Sequence, residues 1–326
     1  MSAATEPISS GLASSSSRAL PAGTVASSVT PFSPDGKIEF DRIKPHVDWL
    51  IQEGAQGLSP LGSSGEFTAL ELEDRKRVLE AVIRANDSRL PVWAGTHHYS
   101  TRATIELSKH AEAAGANALL IVPPYYMAPS PEQTMDHYRR IAEAVDIPIV
   151  LYHNIPLTCV DLKTDQLLTL FDEGAIAAVK MSNPEADRIC ELLQDSNGAL
   201  KVYCGIDSVA FEGLSHGAHG WISGIPSIVP RAAQTLYETL AIKRDLIEAR
   251  KQWVPLSRLM RLQFAAYSKK GEGPHWFSVM KTTLNLIGPP VGEPELPVQP
   301  LDGRYHAELI SLLTALGYKI NDKSNS

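Results

Sequence analysis

Short, almost uninterrupted apolar runs alternate along the chain with longer segments whose apolar residues recur every three or four positions. The short runs predict strands at Thr24–Thr30, Gly57–Leu61, Val92–Gly95, Ala118–Val122, Ile149–Tyr152, Ile176–Lys180, Val202–Gly205 and Trp221–Ser223. Their starts fall 19 to 35 residues apart, the length of one strand plus one crossover helix. Runs such as ALLIV, IPIVL and AIAAV lack polar alternation, as expected of strands buried on both faces. Between them, EFDRIKPHVDWLIQEGA places Ile43, Val47 and Leu50 on one helical face. Thr68 with Glu71 three residues on reads as a capping box, and Gly115 as a C-cap.

Eight such units predict a (β/α)8 TIM barrel rather than an open doubly wound sheet, for which a GxGxxG turn would be expected and is absent. The barrel is assigned to residues 21–229 and a C-terminal helical extension to residues 230–326. The extension should hold helices at Ala232–Leu246, Ala249–Phe264 and Phe277–Leu286, with a last one near Ala307–Leu316. Residues 1–20 are expected to form a disordered serine-rich tail, lacking the apolar segment of a signal peptide.

Composition narrows the function classes. With 44% hydrophobic residues in a chain of 326, a large core can be buried. A net charge of −7 gives no basic field for nucleic acid. No uncharged apolar run reaches the roughly 18 residues of a membrane span. Cys159, Cys190 and Cys204 are odd in number and form no CxxC, so a reducing, cytoplasmic setting is expected.

In a TIM barrel the chemistry sits at the C-terminal ends of the strands. Those ends carry Gly62-Ser63-Ser64-Gly65-Glu66, Pro124-Tyr125-Tyr126, Tyr152, Lys180, Gly205 and Ile222-Ser223-Gly224. Lys180 closes a doubly buried strand, and no carboxylate stands among the next four residues. Such a lysine is either a snorkelling side chain or an amine whose charged form is disfavoured, which is the nucleophile of Schiff-base chemistry. Tyrosines beside it can shuttle the protons that imine chemistry requires, or simply pack. Ser63 and Ser64, with backbone N–H groups of their turn, can hold a carboxylate or merely turn the chain. His97-His98 and His216/His219 lack HExxH spacing and accompanying carboxylates, so no metal is expected. The glycine-serine turn is not GxSxG, and there is no GxxxxGK loop.

The segments VTPFSPDGKIEFD, GLSPLGSSGEFTALELEDR, GTHHYSTRATIELSKHAEAAGANALLIVPPYYMAPS, VLYHNIP, AAVKMSNPE, YCGIDS and GAHGWISG occur in an order that resembles one family. It is the dihydrodipicolinate synthase and N-acetylneuraminate lyase family of class I pyruvate aldolases, and the resemblance covers about Pro21 to Val229. The resemblance implies that Lys180 binds a 2-oxo acid as a Schiff base and that Tyr152 moves protons at that carbon. It further implies Ser63 as a relay hydroxyl, Ser64 as a carboxylate ligand, and Tyr126 as a relay tyrosine reaching across a subunit interface. Gly205 and Ile222 would line the pyruvate end, no cofactor would be needed, and the protein would be a homo-oligomer, a dimer or tetramer.

VLYHNIP departs from the usual YNxP, so His153 competes with Tyr152 for the tyrosine position. The 28-residue interval from Tyr152 to Lys180 favours Tyr152. Dihydrodipicolinate synthases typically carry an arginine five residues after that tyrosine, where this chain has Leu157, followed by Thr158 and Cys159. His97-His98-Tyr99 stands where many members have small residues. The expected activity is reversible aldol cleavage or condensation of a 2-oxo acid, with a 2-keto-3-deoxy sugar acid as the leading substrate. The alternatives are 4-hydroxy-tetrahydrodipicolinate synthase, a dehydratase of the same family, and a non-catalytic 2-oxo acid-binding paralogue.

Overall fold

Parallel strands with few polar residues are stable only when both faces are covered, and the chain arranges eight of them accordingly. In the computed structural model, which describes residues 20–265 and 273–321, the strands are β1 (Gly23–Ala26), β2 (Gly57–Leu58), β3 (Trp93–Gly95), β4 (Ala118–Ile121), β5 (Ile149–His153), β6 (Ala178–Met181), β7 (Lys201–Cys204) and β8 (Gly220–Trp221). Every pairing is parallel, in the order β2-β1-β8-β7-β6-β5-β4-β3, and a parallel bridge between Leu58 and Val92 joins the two ends. The result is the TIM barrel that the apolar runs predict. The expected tail lies, apart from Leu20, outside the described residues.

Two-residue alternation sorts each strand into two layers. Val25, Trp93, Leu120, Val150, Tyr152, Ala178, Tyr203 and Ile222 fill the barrel interior. Leu119, Leu151, Val179, Val202 and Trp221 point the other way, into the shell between sheet and helices. Register brings Tyr152 beside Lys180 and Lys180 beside Tyr203, so these three side chains share the inward face.

The covering helices include Ile43–Gln52, Leu72–Asn86, Thr101–Ala114, Pro131–Ala142, Thr164–Asp172 and Ala186–Asp195. Gly115 ends one of them in the left-handed region at φ +97°, as its sequence signal implies. The capping box at Thr68 does not form. Glu66 takes φ +54° and Phe67–Ala69 makes a 3-10 turn, which delays the helix to Leu72 with Glu71 at its N-cap.

The extension folds as Pro230–Tyr237, a π turn over Glu238–Ile242, and helices Leu246–Gln263, Trp276–Ile287 and His306–Ala315. The first helix stops before the expected Leu246. Arg244 adopts φ +58°, and the Asp245 side chain accepts the Glu248 N–H at 3.0 Å, capping a new helix. Among the described residues no helix is long and apolar enough to cross a membrane.

Candidate active site

At the C-terminal rim, β5 and β6 deliver Tyr152 and Lys180 side by side, and the Lys180 ammonium nitrogen lies 3.7 Å from the centre of the Tyr152 ring. Both side chains are buried, and among the described residues no carboxylate pairs with Lys180. The Tyr152 hydroxyl accepts a hydrogen bond from the Asn154 amide at 3.1 Å. Burial by itself pushes the phenol up. The Lys180 charge, with hydrogen bonds involving Ser63, Asn154 and Lys180, outweighs burial and brings Tyr152 below the ordinary phenol value.

The strand-2 loop supplies the hydroxyls. Ser63–Gly65 is a 3-10 turn, held from beneath where the Thr30 hydroxyl donates to the Gly65 carbonyl at 2.8 Å. Glu66, the next residue, is anchored from outside the barrel: Lys281 pairs with its carboxylate at 2.7 Å, and the Glu295 N–H donates to it at 2.8 Å.

Close packing fixes the floor. A Cβ on Gly205 would stand 2.1 Å from the Ser182 hydroxyl oxygen and 2.7 Å from Lys180 Cγ, so only glycine lets these side chains lie where they do. The Ser182 hydroxyl is buried and has no hydrogen-bond partner among the described residues. Asp207 accepts from the Trp221 indole N–H at 3.0 Å and the Ile225 N–H at 3.3 Å, pinning the chain that follows β8. Burial raises its carboxyl to about 6.

These groups surround one cavity of about 590 Å³, lined by Ser63, Ser64, Tyr152, Asn154, Lys180, Ser182, Gly205 and Ser223. Five of the expected site residues, Lys180, Tyr152, Ser63, Ser64 and Gly205, therefore meet. Two do not line it. Ile222 packs wholly within the barrel interior, leaving Ser223 and Gly224 at the cavity. Tyr126 stands 91% exposed on the rim with φ +72°, away from its own chain's cavity.

His153 and Tyr152 part company here. His153 faces the helical shell, where its Nε2 accepts the Leu162 N–H at 3.1 Å, and burial lowers it to about 4. His97 belongs to the interior: its Nδ1 accepts the Val122 N–H at 3.0 Å, and its ring centre is 6.1 Å from that of Tyr152. Burial, reinforced by the Arg75 and Lys180 charges, holds His97 well below the usual imidazole range, so it stays neutral. Among the described residues no group of three or more His, Cys, Asp or Glu side chains gathers to hold a metal ion.

The sequence reading missed the wall built by the extension. Met260, Arg261, Phe264 and Trp276 line the cavity together with Pro156 and Leu157. Helical periodicity marks which face of Leu246–Gln263 is apolar but not what the ends of that helix overlook.

The family model for the dihydrodipicolinate synthetase family matches residues 20–316. The chain belongs to that family. It is similar to 4-hydroxy-tetrahydrodipicolinate synthase from Pelobacter propionicus, 33% identical over 295 residues that cover 90% of this chain and 98% of that one. The same enzyme from Methanococcus vannielii is 32% identical over 296 residues, covering 90% and 98%. Among solved structures, the chloride-inhibited dihydrodipicolinate synthase of Acinetobacter baumannii in complex with pyruvate superposes with TM-score 0.80 at 31% identity, covering 92% of this chain and 99% of that one. YagE from Escherichia coli, also in complex with pyruvate, gives TM-score 0.83 at 29% identity, covering 91% and 99%. The chain is accordingly a lyase of the class I aldolase type.

Proposed function

We propose that the protein binds a pyruvate-type 2-oxo acid as an imine on Lys180 and catalyses reversible aldol condensation or cleavage. The observation that carries this reading is a buried lysine, with no carboxylate paired to it among the described residues, 3.7 Å from the centre of the Tyr152 ring in one cavity. Two relatives of known structure are described in complex with pyruvate, which supports the same class of ligand here.

The amine of Lys180, once neutral, adds to the 2-oxo carbon. The carbonyl oxygen takes a proton to give a carbinolamine, then leaves as water with a second proton, and the iminium remains. Tyr152, relayed through Ser63, carries these protons. Loss of a proton from C3 gives the enamine, whose C3 bonds to an aldehyde carbon, and the resulting alkoxide takes a proton from Tyr152. Water then adds to C2 of the new iminium and Lys180 Nζ departs, releasing a 4-hydroxy-2-oxo acid; cleavage is the reverse. Ser64 and the turn's N–H groups hold the carboxylate, and Gly205 leaves room beside the imine. Tyr126, exposed at the rim, is suited to complete the relay in a second copy of the chain, which makes a homo-oligomer the working form.

The relatives' printed activity needs an aldehyde that itself bears a carboxylate, yet Leu157 replaces the arginine expected for it and is half-exposed. The 4-hydroxy-tetrahydrodipicolinate synthase alternative, which the relatives' names favour, would have to hold that carboxylate by another group, while the imine chemistry does not depend on that position. The test is reductive trapping. Borohydride with pyruvate should add the mass of a reduced pyruvyl group to the wild type and nothing to Lys180→Ala. Lack of any adduct with 2-oxo acids rules the reading out.

A further inference from the structure

The cavity runs from buried Lys180 to exposed Arg261, and its chemistry changes along the way. Around the lysine the lining is hydroxyl and amide: Ser63, Ser64, Tyr152, Asn154 and Ser182. The extension's side is different. Phe264 and Trp276 present two rings with centres 6.3 Å apart and planes 20° from parallel, and Met260 also lines the cavity. Pro156, Leu157 and Pro184 add apolar lining from the barrel loops. This outer part offers few partners for the hydroxyls of a sugar chain, whose desolvation would go uncompensated.

Arg261 breaks the apolar pattern. Among the described residues it is the cavity's second cation after Lys180, no acid lines the cavity, and Arg261 has no ion-pair partner. A guanidinium lining the same cavity as an aromatic pair, with no carboxylate among the described lining residues, is suited to an anion at the end of a flat apolar group.

Resting on the imine reading above, we propose that the second substrate is an aldehyde with a planar apolar body and an anionic group at its far end. Phe264 and Trp276 take the body, and Arg261 takes the anion. The device replaces the arginine missing at Leu157 by one from the extension, outside the barrel, that lines the same cavity. With the Phe264–Trp276 pair it selects a flat acceptor over an aliphatic semialdehyde. It also displaces the 2-keto-3-deoxy sugar acid as the leading substrate.

The experiment compares 4-carboxybenzaldehyde, benzaldehyde and glyceraldehyde as acceptors with pyruvate, reading kcat/KM for the 4-hydroxy-2-oxo acid formed. The wild type should prefer the carboxylated aldehyde over both others. In Arg261→Ala the ratio of kcat/KM for 4-carboxybenzaldehyde to that for benzaldehyde should fall about tenfold, the size of one lost charge-assisted contact near solvent. Arg261→Lys should restore part of that ratio, which a folding defect would not. Borohydride trapping in the same preparations reports on the imine separately. An adduct with no preference for the anionic aldehyde, or with glyceraldehyde as the best acceptor, overturns this proposal alone. An equal loss on both aromatic aldehydes in Arg261→Ala overturns it too, and absence of the adduct overturns it together with the imine reading.

Discussion

The Lys281 ammonium lies 2.7 Å from the Glu66 carboxylate, with the two side chains 1% and 2% exposed. Glu66 closes the Ser63–Ser64 turn, whereas Lys281 sits in the extension helix Trp276–Ile287. Lys281 also donates to the Glu293 carbonyl at 3.0 Å and lies 4.1 Å from the centre of the Phe32 ring. Burial works against both charges, raising Glu66 and lowering Lys281, and each charge acts to restore the other. The hydroxyl loop is thus fastened to the extension and not only to its own strand.

Removing one partner strands the other charge in the core. Lys281→Met should destabilise the protein by about 3–5 kcal/mol, with Glu66→Gln in the same chain recovering part of the loss. Denaturant melts of the two single variants and the double variant read this coupling. Additive single effects would show that the pair is not an energetic unit.

Tyr152→Phe removes the hydroxyl that accepts from Asn154 while keeping the ring beside Lys180. Turnover should fall by about 10²–10⁴ with pyruvate binding largely retained. His153→Ala has the opposite signature. It deprives the buried Leu162 N–H of its acceptor and should cost about 1–3 kcal/mol of stability, with little change in turnover of the folded fraction. If His153→Ala stops catalysis and Tyr152→Phe does not, the two residues have exchanged roles.

Gly205→Ala inserts a methyl group 2.1 Å from the Ser182 hydroxyl oxygen and 2.7 Å from Lys180 Cγ. Lys180 or the strand end must shift, so pyruvate trapping should be slowed at least tenfold and the melting temperature lowered. Trapping at the wild-type rate would mean that the lysine has room it does not show. Ser182→Ala in the Gly205→Ala background removes the nearer clash and should recover stability.

Acid should weaken the fold. His46, His137 and His153 are each held at about 4, mainly by burial, against an ordinary 6.5. Between those values the unfolded chain binds more protons than the folded one, so stability falls as pH drops from 6.5 to 4. Asp207, raised to about 6 by burial, acts in the reverse sense, losing stability as pH rises from 3.8 to 6. His97 is also held low and Glu66 is also raised, so four buried imidazoles against two buried carboxyls leave a net loss on acidification. Melting temperature measured from pH 7 to 4.5 should decline, and a flat profile would contradict the neutral buried imidazoles.

How much of this was legible beforehand follows from what each residue's neighbours are. Lys180 was readable because a cation at the end of AIAAV is out of place in any doubly buried strand, whatever lies around it. Tyr152 over His153 required the strand's phase: Val150 and Tyr152 face inward while Leu151 and His153 face the helices, which a shift of one residue would have reversed. Thr68 misled because its capping signal is local, whereas burial of Phe67 with its ring 4.8 Å from that of His97 and the left-handed Glu66 decide where that helix starts. Arg261 and Trp276 left no trace as cavity residues, since their part depends on how the extension docks across some eighty intervening residues or more from Lys180, a relation no local pattern encodes.

The barrel is not equally firm around its circumference. β5 and β6 share four registered residue pairs, whereas β2 and β3 meet through the Leu58–Val92 bridge, with backbone hydrogen bonds from Leu58 to Pro91 and from Gly95 to Pro60. Local opening is least costly where fewest bonds must break, so hydrogen exchange should be fastest at this seam and slowest at the β5–β6 staves. The stave that carries the lysine is therefore the stiff one. The serine turn hangs from the seam side of the barrel, so its fixity has to come from the Lys281–Glu66 tether to the extension rather than from its own strand.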